Sequence, residues 1–194
     1  MSFDDLPSYT TEGGVEVSVQ VTSVEPLEAI EDLVDRLDSA RGVLLSSSYE
    51  YPGRYTRWDM GFVDPPLVIT SHGDKVDVEA LNSRGELLLE PVRDNLKSLS
   101  CVTVEADSVR KVTCRVERGT VRFSEEERSR QPSSFSVVRS MVELFRGSDE
   151  HLGLYGAFGY DLAFQFEPIE LRLSRPQNQR DLVLYVPDEV IVVD

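Results

Sequence analysis

Enzyme chemistry usually announces itself through a few reactive side chains at fixed spacings, and this chain is poor in them. Of its 194 residues only two are histidines, His72 in the turn-like SHGD and His151. That is too little imidazole for a His-based metal cluster or a Ser-His-Asp arrangement, so each reads as a surface residue. Asp59, Asp64, Asp161 and Glu167 are candidate acids or bases, but no spacing pairs them, and solvated or capping carboxylates are the ordinary account. The sequence has no P-loop, Cys-x-x-Cys or nucleophile elbow. Gly153, Gly156 and Gly159 give a G-x-x-G-x-x-G spacing. They lie inside an aromatic strand pattern rather than between a strand and a helix start, which points to close backbone packing or a bulge instead of a phosphate loop. The stretch that does suggest a binding function is VLLSSSYEYPGRYTRWDMGF, residues 43–62. It begins like a buried strand and then sets Tyr49, Tyr51, Tyr55 and Trp58 with Arg54 and Arg57 in a Pro-Gly frame. No catalytic residue and no metal ligand is assigned, and a reactive centre is expected outside this chain.

Composition narrows the partners. Twenty Lys plus Arg against thirty-five Asp plus Glu leave a net charge of −15, a field that repels phosphate backbones and anionic lipid. Nucleic acid and membrane surfaces are therefore not expected. The start, MSFDDLPSYT, lacks a basic region followed by an apolar one, and no apolar run approaches the roughly 20 residues needed to span a bilayer. Cys101 and Cys114 are too few for a disulfide framework and read as reduced core or strand residues of a cytoplasmic protein. With 40% hydrophobic residues the chain can bury a core of its own, as one domain or one large lobe over residues 1–194.

The elements that would position the 43–62 segment follow from periodicity. Val15, Val17, Val19 and Val21 alternate with polar residues and predict the clearest strand. After Pro26, Leu27, Ile30, Val34 and Leu37 recur at helical spacing, with Gly42 expected to stop the helix. VLLSS predicts a strand, and another runs from about Arg54 until Pro65 and Pro66 break it. KVDVEAL alternates again. PVRDNLKSL predicts a short helix with Val92, Leu96 and Leu99 on one face. VTCRVERGTVRF predicts a hairpin turning at Arg118 and Gly119, and SEEERSRQPSS an exposed connection. Ser134 is placed as the N-cap of a helix burying Phe135, Val138, Met141, Val142 and Phe145, with Gly147 as the stop. LGLYGAFGYDLAFQFE and DLVLYVPDEVIVVD read as strands. Strands in hairpins mixed with amphipathic helices predict an α+β fold with mostly antiparallel sheet.

Several of these residues also carry a resemblance. Leu44-Leu45-Ser46-Ser47 followed by Gly53-Arg54-Tyr55-Thr56 resembles the Leu-Leu-Glu-Ser and Arg-Tyr-Ser elements near the start of anthranilate synthase component I. The wider SSYEYPGRYTRWDMGFVDPPL is similar to the version fused to a glutamine amidotransferase. GLYGAFGYDLAFQFEPIEL followed by RDLVLYVPDEVIVVD resembles that family's Gly-Phe-x-x-Tyr-Asp segment and the strands after it. The likeness runs from about Thr11 onward and is specific at its two ends, general in character over residues 71–133. It implies orthogonally packed antiparallel sheets with helices outside. It also implies an N-terminal domain of a longer enzyme, in which a separate chorismate-binding domain holds the substrate and Mg2+ and a glutamine amidotransferase, fused or separate, supplies ammonia. The full enzyme would make anthranilate and pyruvate toward tryptophan, while this chain alone would be inactive. Aminodeoxychorismate synthase shares the architecture and stays open as an alternative, as does a stand-alone binding protein of the same fold.

For the 43–62 stretch the resemblance implies a feedback site for L-tryptophan built from Ser46, Ser47, Arg54, Thr56 and Arg57. Such a site needs acceptors for an ammonium, donors for a carboxylate and an apolar wall for the indole. This chain departs from the family pattern at one place: Ser46 stands where many members have a glutamate, and a neutral hydroxyl holds a cation far less strongly than a carboxylate. Glu50 would substitute if the loop folded back. The alternative is a segment whose aromatics simply pack the lobe. An apolar face meant for the absent domain would stay uncovered on the isolated chain and favour a homodimer.

Overall fold

The computed structural model describes residues 6–47, 58–117, 131–166, 172–176 and 178–193. These form an α+β fold with three antiparallel sheets. A two-stranded ribbon pairs β1 (Ser8–Thr10) with β2 (Glu16–Ser18). A six-stranded sheet runs in the order β7 (Val102–Asp107), β8 (Lys111–Val116), β6 (Lys75–Ala80), β5 (Leu67–His72), β10 (Leu182–Val186) and β9 (Tyr155–Phe158). A three-stranded sheet places β4 (Asp59–Val63) between β3 (Gly42–Ser46) and β11 (Ile191–Val193).

The alternation of the strands decides what covers each face. Ile69, Val76, Val78, Val112, Cys114, Leu182 and Leu184 point to one side of the large sheet. There they meet Leu89, Val92 and Leu96 of α2 (Ser83–Ser98) and Val137, Met141 and Leu144 of α3 (Ser134–Phe145) in a single core. On the other side Tyr155 and Tyr185 receive Phe62 of β4 edge-on, with ring centroids 5.8 and 6.0 Å apart. Phe62 thus seats the small sheet on the large one. Helix α1 (Pro26–Leu37) closes the outer side of the small sheet. The helix comes so close that a Cβ on Gly61 would lie 2.4 Å from Leu33 Cδ2, and one on Gly42 2.7 Å from Leu37 Cδ2. The layers are therefore helix, sheet, sheet, helix, with the helices outside as expected.

Several local expectations change. The valine alternation yields only the three residues of β2, and Val21 is 90% exposed; period 2 specifies a face, and beyond Ser18 no sheet lies beneath it. Helix α1 begins at Pro26 as expected, but its one fully buried residue is Leu33, while Leu27 and Val34 face solvent. The helix ends at Leu37, and Gly42 is the first residue of β3 rather than a stop signal. Helix α2 spans 16 residues against the nine of the expected PVRDNLKSL. Asn82 caps it by accepting a hydrogen bond from Gly85 N–H at 3.1 Å, and Pro91 sits inside it. Pro91 removes the N–H that would meet the carbonyl of Leu87, a residue on the exposed side. Strand β7 is additional to the expected elements, although Val102, Val104 and Ala106 alternate with Thr103, Glu105 and Asp107; a bulge between Val104 and Ala106 shifts its register against β8. The turn expected at Arg118 and Gly119 lies outside the described residues; β8 before it already has both edges paired, to β7 and β6. In α3 the cap is Ser133, and Val137 and Leu144 are buried in place of Val142. Residues Tyr160–Gln165 form a 3-10 helix rather than a strand. The glycine spacing does serve close packing, since a Cβ on Gly156 would lie 2.1 Å from Val183 O.

Both cysteines are free. Burial pushes the Cys114 thiol up to about 12, with the carboxylates of Asp77 and Glu105 adding to it, which leaves a packing residue without thiolate chemistry.

One acid-sensitive contact lies in the large sheet. Burial alone would raise the Asp77 carboxyl. Hydrogen bonds from Thr113 Oγ1 at 2.6 Å and from Lys111, together with the charges of Lys111 and Lys75, outweigh it and hold the carboxyl below its ordinary value. A depressed folded value means that the unfolded chain binds the extra proton first, so this stabilisation is present above pH of about 4 and is lost as pH falls below it. The urea midpoint of Asp77→Asn is accordingly expected to change less between pH 5 and pH 3 than that of the parent. An equal change in both would remove Asp77 from the acid response.

Candidate functional site

The serines expected to bind ligand lie at the end of β3. The ladder places Ser46 directly opposite Asp59 of β4, and Val193 of β11 flanks Asp59 on the other side. Residues opposite one another in an antiparallel pair share a face. Gly61 and Gly42 mark that face as the one under α1, so Ser46 and Asp59 stand side by side on it. Leu33 lies over Gly61 and Leu37 over Gly42. Four helical residues advance about 6 Å and two strand residues about 6.6 Å, so the first turns of α1 extend toward Ser46 and Asp59. Ala29 and Ile30 are half-buried there, while Ser46 itself is exposed.

The ladder continues one bond further, with Ser47 N–H donating to Trp58 O at 3.0 Å. Alternation then sets Ser47 and Trp58 on the face opposite Ser46. The two serines do not converge on one point. Arg54, Thr56 and Arg57, and Glu50 with them, lie outside the described residues.

The companion that periodicity did not select is Asp59. It occupies the middle strand of the small sheet, where aspartate is disfavoured, with β3 and β11 taking both of its backbone edges. Its Oδ1 is buried and accepts no hydrogen bond from any described residue. The signal that could have found it is the pair of matching strands 42–46 and 59–63, once their register is known.

The other candidate carboxylates have structural employment. Asp64 adopts a left-handed φ of 52° and is held by Asn82 Nδ2 at 3.2 Å and Arg84 Nη2 at 3.3 Å. Asp161, of the Tyr-Asp pair, lies 3.1 Å from Arg175 Nε and accepts a hydrogen bond from Gln179. Arg175 also pairs with Asp181, which is 0% exposed and accepts from Gly73 N–H at 2.6 Å. Gln165 extends this network by donating to Gly73 O at 2.8 Å and accepting from Ser134 N–H at 3.0 Å. The Gly-Tyr-Asp segment therefore ties the 3-10 helix to the β5–β6 turn and the start of α3. Glu167 lies outside the described residues.

Among the described residues no group of three His, Cys, Asp or Glu could hold a metal ion, so Mg2+ finds no fitting donor set there. No helix among them is long and apolar enough to cross a membrane. A shallow cleft bounded by Arg41, Asp64, Glu79 and Arg110 opens at the Gly42 end of β3, away from Ser46. Its charges balance, and it brings no reactive group together.

No family model matches the chain. It is similar to anthranilate synthase of Azospirillum brasilense, with 46% identity over 187 residues that make up 96% of this chain and 25% of that protein. It is also similar to anthranilate synthase component 1 of Vibrio parahaemolyticus, 29% identical over 154 residues, covering 78% of this chain and 28% of the relative. With component 1 of Escherichia coli the identity is 30% over 138 residues, 68% of this chain and 25% of the relative. The chain thus spans about a quarter of the length of the curated relatives it matches.

Proposed function

From its homology with anthranilate synthase, which extends over nearly its whole length, we propose that this chain is the N-terminal, tryptophan-sensing region of such an enzyme. The complete protein would convert chorismate and glutamine to anthranilate, pyruvate and glutamate. Chorismate and Mg2+ would be held by a domain beyond these residues, and ammonia would come from an amidotransferase domain or subunit. The relatives named above are anthranilate synthases, which favours this reading over aminodeoxychorismate synthase.

The observation that carries the sensing role is the pairing of Ser46 with Asp59 at the solvent end of the sheet under α1. An amino-acid ligand must find an acceptor for its ammonium and donors for its carboxylate, and the Ser46 hydroxyl can serve either need. Arg54, Arg57 and Thr56, in the segment that joins β3 to β4, are the proposed donors, with the Arg side chains able to form charge-assisted bonds.

If tryptophan here lowers the affinity of a chorismate site elsewhere, the coupling is reciprocal, and chorismate must weaken tryptophan by the same factor. The test is anthranilate fluorescence from chorismate and glutamine, measured on the product of the complete reading frame and on the 194-residue chain, each with and without L-tryptophan. Activity in the long product only, suppressed by tryptophan, is the expected result. A long product that turns over chorismate to anthranilate at a rate indifferent to tryptophan would end the sensing role.

A further inference from the structure

We infer that the N-terminal ribbon, residues 7–19, is a strap that closes on the C-terminal end of α3 and opens as a unit while the sheets and helices beneath it stay folded. This conformational device does not depend on the sensing role proposed above.

The ribbon cannot hold itself together. Strands β1 and β2 pair with each other and with no other described strand, and an isolated two-stranded hairpin is at best marginal in water. Its support is the end of α3. Thr11, 4% exposed, donates from Oγ1 to Leu144 O at 2.8 Å and accepts from Val15 N–H at 3.0 Å. Glu12 N–H donates to Arg146 O at 2.8 Å, and the Arg146 guanidinium lies 3.6 Å from the Glu12 carboxylate. The last carbonyls of a helix have no partner within it, so the ribbon serves as a tertiary cap. Gly147, expected as the helix stop, has no positive φ. It is glycine for another reason: the ring of Tyr9 lies where its side chain would be.

The closed state is weakly held. Tyr9 Oη is buried without a hydrogen-bond partner among the described residues, a penalty that opening into water removes. Ser8, Thr10, Glu16 and Ser18 face solvent, and of the ribbon's apolar side chains Val15 packs against the main core while half-buried itself. Few buried contacts and exposed backbone bonds are the marks of a segment that opens locally. The opening also has a limit on each side. Residues 20–25 after the ribbon are all exposed, which gives slack before α1. Beyond Gly147, Tyr155 Oη donates to His151 O at 2.6 Å and the Tyr155 ring meets Phe62. Val137, Met141 and Leu144 keep α3 in the core. Release of the ribbon therefore frees the carbonyls of Leu144 and Arg146 and leaves the layers in place.

The test is hydrogen–deuterium exchange by mass spectrometry on the full-length protein. Amides of residues 8–19 are expected to exchange together and much faster than those of α2 and β6. Gly147→Ala, which drives the Tyr9 ring from its place, should speed exchange in the ribbon by about tenfold or more and leave α2 and β6 unchanged. Tyr9→Phe keeps the ring and removes the unmet hydroxyl, so exchange in the ribbon should hold or slow. Ribbon amides as slow as those of α2 in the parent would overturn the inference. So would Gly147→Ala acting on ribbon and core alike, which would make the ribbon part of the global fold, or leaving the ribbon unchanged. Faster ribbon exchange in Tyr9→Phe would show that the hydroxyl holds the strap shut, and would overturn the weakly held closed state.

Discussion

Replacing Asp181 with alanine is expected to destabilise the protein by about 3–5 kcal/mol, the usual consequence of breaking a buried ion pair from one side. Asp181 is fully buried and joins Arg175 to the Gly73 amide. Its loss leaves the guanidinium with Asp161 as its one remaining carboxylate among the described residues and takes from the Gly73 N–H its acceptor. For a chain of this length the change corresponds to a fall of roughly 6–20 °C in melting temperature. Asp181→Asn, which keeps an oxygen facing Gly73, should lose less. A loss under about 1 kcal/mol for the alanine variant, in the range of exposed pairs, would mean that the network contributes little and that Arg175 finds water instead.

The second large effect is local. Leu33→Ala is expected to cost about 2–5 kcal/mol, as for other buried leucines, because Leu33 is the one fully buried side chain of α1. It lies outside the main core that α2 and α3 share with the large sheet. The loss should therefore fall on α1, β3 and β4 alone. Amide hydrogen exchange would show it: protection should drop across Pro26–Leu37 and the small sheet while α2 and α3 keep theirs. A uniform drop through the whole chain would show that the two layers unfold as one unit. Since α1 covers the face bearing Ser46 and Asp59, the same variant should also weaken any ligand held there.

What could be read from the sequence depended on whether a residue's role was local. Pro26 at the first helical turn, the strand VLLSS and the core positions Val92, Leu96, Val138 and Met141 were legible because a propensity or a repeat specifies each one. The valines from 15 to 21 misled, since alternation describes a face without saying whether a partner strand continues beside it. Helix α2 begins eight residues before the expected PVRDNLKSL, its first turn holding a glycine and its middle a proline that local propensity disfavours; in the folded chain Gly85 is accommodated against Pro66 O and Pro91 beside an exposed turn. The site divides in the same way. Ser46 was found through a motif, whereas Asp59 becomes informative only when β3 and β4 are in register, which depends on a pairing across thirteen residues that no local pattern records. Asp181 was missed for a related reason, since its partners Gly73 and Arg175 come from a distant turn and a neighbouring loop.

Phe62 and β4 also have a history in time. Both belong to the early part of the chain, yet Tyr155, Tyr185 and the flanking strand β11 all come late. Roughly 130 residues separate β4 from β11, on the order of ten seconds of translation at about 5–20 residues per second. Through that interval one edge of β4 lacks β11, and until β9 is made Phe62 has neither Tyr155 nor Tyr185 to meet, the condition in which an unpaired edge invites association with another chain. The segment bearing Ser46 and Asp59 is made well before β11, the strand that completes its sheet, so a nascent chain is open to misassembly for that interval at the place where the finished protein is proposed to bind its ligand.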